Sequence, residues 1–271
     1  MNPKIFFTDI DGTLLNKDRE LSEYTISRID AISENHPFIM VSARMPDQMK
    51  HFREKLQKPE SSLIAYNGAL VLRENQVIHS VEIDSDTLQR IHEYNLTLPE
   101  RFHISLYNHD EWYVEKMDYW AKREENNTKV TPRLKPNEKV ISEWKLAGKG
   151  AHKILCMGDA EIIEKAFQDL TEMFGDSLHL YRAKDTYIEI ANREVSKLTG
   201  IKKLLELMEG NPTLEDVVAF GDNYNDVEMI AGVGCGVAVA NARDEVKAVA
   251  RDITLHHKED GVAKYLDRFI L

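Results

Sequence analysis

Cysteine is scarce in this chain. Cys156 and Cys235 are the only two among 271 residues, far apart and each in apolar surroundings. That excludes a disulfide-stapled scaffold and a cysteine metal pair, and favours buried free thiols in a reducing compartment. Long apolar runs are also missing. No stretch approaches the roughly 20 residues that a membrane-spanning helix needs. The first residues lack a basic start followed by an apolar segment, so no secretory leader is expected and the expected location is cytoplasmic. Positive charge is in deficit, with 35 Lys and Arg against 46 Asp and Glu and a formal net charge of −11. Nucleic acids and anionic membranes are polyanions, so neither is an expected partner. A small phosphorylated molecule is not excluded, because local charge decides that. The stretch from Lys116 to Lys153, with ten Lys/Arg against five Asp/Glu, reads as a solvated basic face. No repeat, low-complexity tract or feature demanding an obligate protein partner is evident.

What is present is an alternation of short apolar runs with helical patterns. Ile5–Phe7, Pro37–Val41, Ser62–Tyr66, Val217–Phe220 and Gly236–Ala240 read as buried strands. Between them, Leu21–Ile32, Met49–Leu56 and Lys197–Met208 carry helical spacing, and Leu70–Leu72 with Val77–Ile83 suggests a hairpin about Glu74-Asn75. This is the grammar of parallel βαβ units. From Asp84 the character changes. A helix at Thr87–Leu96, a hairpin of Phe102–Tyr107 with Glu111–Lys116, a polar run from Lys122 to Lys149 broken by Pro132 and Pro136, a strand at His152–Met157, an amphipathic helix at Ala160–Phe174 and two closing strands read as an α+β insertion. The expected fold is therefore a Rossmann-like, doubly wound, mostly parallel α/β sheet formed by residues 1–82 and 189–271, with an inserted α+β domain at 83–188. The insertion's aromatics (Tyr94, Phe102, Tyr107, Trp112, Tyr113, Tyr119, Trp120) are expected to pack a core, and its histidines show no metal-site spacing.

Chemistry concentrates where strands end. The stretch Lys4–Leu15 places Asp9 and Asp11 one residue apart, followed by Gly12, at the carboxyl end of the first strand. Ligands bind at that edge in open α/β sheets. Strand alternation points both acids the same way, and two close carboxylates call for a shared proton or a hard divalent cation such as Mg²⁺; a surface turn that happens to be acidic is the alternative. Ser42–Arg44, Lys197, and Asp222 with Asn225 and Asp226 occupy comparable positions. Each alone could be a helix cap or a solvated charge. Together they offer oxygen ligands for a cation, donors for a phosphoryl group and a carboxylate nucleophile able to form an aspartyl phosphate.

With DIDGTL at 9–14, Ser42, Asn67-Gly68-Ala69, Val195-Ser196-Lys197, GDNYND at 221–226 and Asp260–Ala263, the chain resembles the haloacid dehalogenase superfamily of phosphatases over essentially its whole length, in particular the Cof-type, sugar-phosphatase-like branch (type IIB, large C2 cap). The resemblance implies a Mg²⁺-dependent phosphohydrolase acting on small phosphorylated metabolites such as sugar phosphates, nucleotides or phosphorylated cofactors. It implies that Asp9 is the nucleophile and Asp11 the general acid–base. Mg²⁺ would be held by carboxylate oxygens of Asp9 and Asp222 and the backbone carbonyl of Asp11. Ser42, the amides of Ile10 and Ala43, Lys197 and Asn225 would hold the phosphate, and Asp226 would support Lys197 or metal-bound water. The insertion would be a cap that excludes water and selects substrate. Two departures stand out: Ala43 occupies a position where the family has glycine, and Leu198 follows the lysine where it has Lys-Gly. A phosphomutase or phosphotransferase would use the same nucleophile, and a phospho-accepting switch module is the non-enzymatic alternative; Asp11 and the large insertion speak against the switch.

Overall fold

The structure is a computed structural model that describes residues 5–270; of the Lys4–Leu15 stretch read above, only Lys4 lies outside them. The chain divides into two compact units. The first comprises Met1–Arg44, Met49–His79 and Ser196–Leu271, and the second Met45–Gln48 and Ser80–Val195.

The first unit opens with β1 (Ile5–Thr8), α1 (Glu23–Ser33), β2 (Phe38–Val41), α2 (Asp47–Lys55), β3 (Leu63–Ala65), β4 (Leu70–Arg73) and β5 (Gln76–Ser80). Ser22 caps α1 by accepting from the Thr25 amide, as a serine before a periodic apolar run does. The β4–β5 turn is made by Glu74 and Asn75, both with positive φ (51° and 64°), which is the hairpin turn that matches strand twist.

The second unit contains α3 (Ser85–Thr97), β6 (His103–Asn108), β7 (Glu111–Val114), α4 (Tyr119–Thr128), β8 (Arg133–Leu134), α5 (Asn137–Leu146), β9 (Lys153–Met157), α6 (Ala160–Phe174), β10 (Leu178–Lys184) and β11 (Tyr187–Asn192). Its six-stranded sheet runs β10-β11-β9-β6-β7-β8 and is antiparallel except for the β7–β8 pair. One face packs Ile104, Leu106, Ile154, Cys156, Ile188 and Ile190 against Leu88, Ile91, Trp144, Ile163 and Leu170 from the helices. The polar run at 122–149 is more regular than its composition suggests. It contains most of α4, which buries only Ala121 and Thr128 and starts from an Asp118 cap, and all of α5, which buries Val140, Ile141 and Trp144. The aromatics divide: Phe102, Tyr107 and Trp112 are buried, but Tyr119 is 67% exposed.

The chain then completes the first unit with α7 (Lys197–Leu205), β12 (Val217–Gly221), α8 (Val227–Gly232), β13 (Cys235–Ala238), α9 (Asp244–Val249), β14 (Asp252–Ile253) and α10 (Gly261–Leu266). The eight-stranded order is β14-β13-β12-β1-β2-β3-β4-β5. Parallel pairing runs from β14 to β3, and β4 is antiparallel to β3. β1 is central, and Ile5, Phe6 and Phe7 are buried, as continuous apolar strands covered on both faces must be. The register sets Thr8 beside both Phe220 and Met40, so Asp9 emerges level with Gly221 and Val41, one residue before Asp222 and Ser42. Cys156 is buried and Cys235 half-buried, and both are free thiols. No helix among the described residues is long and apolar enough to cross a membrane.

Candidate active site

β1 stops at Thr8, and the expected alternation does not continue through the two acids. Asp9 is buried, with its amide donating to the Phe220 carbonyl at 2.9 Å. The chain then turns through Gly12, whose φ is +88°. Asp11 is consequently thrown outward, its side chain 41% exposed, and does not point the same way as Asp9. Arg44 takes both Asp11 oxygens, Nε to Oδ2 at 2.7 Å and Nη2 to Oδ1 at 2.8 Å, while Arg19 adds a contact at 3.0 Å. Partial burial alone would raise the Asp11 carboxyl, but the paired Arg44 and then Arg19 outweigh it and hold it below the usual carboxylate range.

Lys197 stands at the first position of α7. Ser196 and Thr199 form a reciprocal cap there, so the helix start is fixed. The Lys197 side chain is fully buried, with Nζ 2.5 Å from Asp9 Oδ1 and 2.6 Å from Asp226 Oδ1. Burial disfavours its charge, but Asp226 and Asp9 outweigh it and push its pKa above the ordinary lysine value. The loop after β12 is folded back on itself. Asp226 Oδ2 accepts the amides of Asp222 at 2.8 Å and Asn223 at 2.9 Å. A Cβ on Gly221 would lie 2.6 Å from that of Asp226, so only glycine permits the approach. Thr13 donates to Asp222 Oδ1 at 2.9 Å.

Carboxylate oxygens of Asp9, Asp222 and Asp226 lie within 4.8 Å of one another. Three acids around one ammonium leave two negative charges in excess. Accordingly burial, then Asp226 and Asp222, push the Asp9 carboxyl up against the pull of Lys197. Burial and Asp226 push Asp222 up to about 6. A divalent cation fits this donor set in charge and in kind. Both Asp226 oxygens are already engaged, whereas Asp9 Oδ2 and Asp222 Oδ2 accept no hydrogen bond among the described residues. Asp9 and Asp222 are therefore the two acids left for a cation.

The remaining expected residues lie at the same strand-end edge. Ser42 is buried at the end of β2, its Oγ accepting the Arg44 amide at 3.2 Å; Ala43 is half-buried beside it and Ile10 fully buried next to Asp9. Asn225 donates from Nδ2 to Asn67 Oδ1 at 2.9 Å. Leu198, the departure beside Lys197, packs over Gly232, where a Cβ would meet its Cδ2 at 2.6 Å. Arg19, Thr13 and Asn67 join the site although sequence reasoning gave them no role, and Arg44, singled out only as part of the Ser42–Arg44 strand end, proves to be the partner of Asp11. Thr13 and Asn67 do lie in two of the motifs, DIDGTL and Asn67-Gly68-Ala69. Tyr66 and Asn67 both have positive φ (51° and 57°), an unusual backbone that seats the Asn67 amide on the Ser42 carbonyl at 2.8 Å.

The sequence profile of the haloacid dehalogenase-like hydrolases matches residues 6–266. The chain belongs to that family. A Haemophilus influenzae protein named provisionally as a phosphatase is 32% identical over 97% of both chains. The Bacillus subtilis 5-amino-6-(5-phospho-D-ribitylamino)uracil phosphatase YitU is 25% identical, covering 98% of this chain and 97% of its own. The crystal structure of TM0651 from Thermotoga maritima superposes with a TM-score of 0.88 at 31% identity, over 98% of this chain and 97% of that one. This haloacid dehalogenase-like hydrolase is thus a phosphatase, and its core and second unit follow the fold of its relatives.

Proposed function

We propose that the hydrolase is a Mg²⁺-dependent phosphatase that works through an aspartyl phosphate on Asp9, with Ser80–Val195 serving as a cap domain that selects the substrate. The observation that carries this reading is the buried Asp9 paired with Lys197, with the Asp222 carboxylate alongside. Asp9 attacks phosphorus with its oxygen, and the P–O bond to the leaving alkoxide breaks. Lys197 neutralises the nucleophile and the incoming phosphoryl oxygens, while Asp226 keeps the ammonium in place and charged. The Ser42 hydroxyl, the Ile10 and Ala43 amides and the second Nδ2 hydrogen of Asn225 are donors for the phosphoryl oxygens. Asp11 delivers a proton to the alkoxide and later takes one from the attacking water, so its carboxyl must part from Arg44 during turnover. Asp9, Asp222 and the Asp11 carbonyl would hold Mg²⁺, which when bound would supply the missing positive charge at the transferring group.

A phosphorylated sugar-alcohol or nucleotide-like metabolite is a fitting substrate class, given the ribitylamino-uracil phosphatases among the relatives. Two free thiols suit a cytoplasmic setting. The test is phosphate release from a generic aryl phosphate by wild type and Asp9→Asn. A fall of about 10³-fold or more is expected, since loss of a nucleophile leaves only binding and electrostatics. Near-normal activity in Asp9→Asn would sink the nucleophile assignment.

A further inference from the structure

The second unit holds a cavity of about 370 Å³ at the end of the β6–β7 hairpin opposite its His109–Asp110 turn. It is within the size range of small-molecule sites, and every residue lining it belongs to the second unit. Two polar groups in its wall are buried and unmatched. His92 is 7% exposed and its Nδ1 has no hydrogen-bond partner; Asn137 is 3% exposed and its Oδ1 has none. Buried polar atoms are rarely left this way without a ligand or ordered water.

Other polar groups of the same wall are satisfied, although Trp112 Nε1 and Tyr187 Oη elsewhere in the unit are also unmatched. Asn95 exchanges hydrogen bonds with the Phe102 backbone at 2.9 and 3.0 Å. His103 sits between Asp118 at 2.9 Å and Ser105 at 2.8 Å. The acids nearby are engaged as well, Glu115 accepting the Asn137 amide at 3.2 Å and Asp118 that of Ala121 at 2.9 Å. The cations are not: Arg101 and Lys116 are exposed on the lining, and neither side chain makes a hydrogen bond to protein among the described residues. Asn137 is also the first residue of the ten-residue α5, whose N-cap Pro136 has no side chain to cap it; the Glu115 carboxylate takes that place by accepting the Asn137 amide, so the field for an anion rests on Arg101 and Lys116.

We propose that this cavity binds a small hydroxyl-bearing anion. Asn137 Oδ1 can only accept, so the ligand must donate to it. A hydroxyl does this and also complements His92 Nδ1 in either tautomer. Arg101 and Lys116 take the acidic group, either a phosphate ester or a carboxylate, and Phe102 and Trp120 cover the carbon skeleton.

The test is an NMR titration of the full chain carrying Asp9→Asn to prevent turnover, with glycerol 2-phosphate in one arm and malate in the other, reading the His92 ring and the Asn137 side-chain amide. Saturable shifts at both groups are expected with at least one probe, and the responding arm identifies the acidic group. Arg101→Ala with Lys116→Ala should weaken that binding tenfold or more, and the same pair in the wild-type background should leave aryl phosphate hydrolysis unchanged. No saturable shift with either probe up to about 20 mM, equal affinity in the Arg101/Lys116 variant, or soaked crystals with only water between His92 and Asn137 would each overturn the site.

Discussion

Replacing Lys197 with methionine keeps most of the side chain's volume and removes its charge. The wild-type ammonium is fully buried and lies 2.5 Å from Asp9 and 2.6 Å from Asp226. At an effective dielectric of about 20, each contact is worth about 6 kcal/mol of gross attraction. Most of that offsets the desolvation of the charges, so the measurable quantity is the cost of removing one partner, about 3–5 kcal/mol for a buried pair. Lys197→Met leaves three close carboxylates with no cation, which makes the upper end of that range the expected loss in EDTA at pH 8. The loss should shrink as pH falls. Without the ammonium the folded-state carboxyl pKa values rise further above their unfolded values, so the folded form takes up protons that the unfolded chain does not, and acid favours it. Millimolar Mg²⁺ should restore part of the stability by supplying the missing charge, while activity stays down by a factor of about 10² or more. The assay is urea unfolding at pH 5.5 and pH 8, each with EDTA or Mg²⁺. A variant as stable as wild type at pH 8 in EDTA would refute the argument, because it would mean that the three acids do not feel one another.

Other perturbations probe the remaining parts. Gly12→Ala would set a Cβ 2.5 Å from Asp222 Oδ2 at a φ of +88°; a stability loss of about 1–2 kcal/mol and at least tenfold weaker Mg²⁺ activation are expected, and unchanged Mg²⁺ dependence would count against Asp222 as a ligand. Asp222 is raised to about 6, so its contribution to metal-free stability is present below about 4 and lost as pH rises through 6. Mg²⁺ binding should therefore release a proton below pH 6 and none well above it, which calorimetry in buffers of different ionisation enthalpy would detect. Arg44→Gln should let the Asp11 carboxyl rise from its depressed value, visible as a shifted side-chain carboxyl titration by NMR, and an unmoved titration would remove Arg44 as its anchor. Asn67→Gly keeps the left-handed backbone accessible and deletes the carboxamide that orients Asn225. Its effect on KM should vanish in an Asn225→Ala background, and additive losses would show that Asn67 acts elsewhere.

Much of the fold was legible because its strands are buried on both faces. Ile5–Phe7 and Val217–Phe220 are continuous apolar runs, and a parallel sheet covered by helices leaves no other place for them. Ends were less legible. The helix expected to reach Met208 stops at Leu205, and the edge strand β14 is only two residues long, too short to carry a pattern. Both α4 and α5 hid in a charged segment. The first buries two residues along its length and leaves almost no apolar stripe to read; its signal is instead the Asp118 cap bonded to the Ala121 amide at 2.9 Å, three residues on as a capping residue requires.

The site shows the same division between what pattern carries and what only geometry carries. Asp9, Asp222, Asp226 and Lys197 could be expected to meet, because parallel strand order brings the carboxyl ends of β1 and β12 together and places α7 beside them. The direction of Asp11 could not be read that way. Alternation holds only while the backbone stays extended, and the positive φ of Gly12 ends that regime one residue past Asp11. Once the turn swings the acid outward, a guanidinium is the partner that can take both its oxygens, and Arg44 is within reach because β2 runs parallel to β1 in register. The arginine that follows Ser42 and Ala43 therefore belongs to Asp11, the proposed acid–base residue, as much as to any phosphate. A carboxylate held ionised by two arginines is a poor proton donor until one of them lets go. In the proposed mechanism an incoming phosphoryl group would offer Arg44 a competing anion, and so would tie the release of Asp11 to the presence of substrate rather than of bulk water.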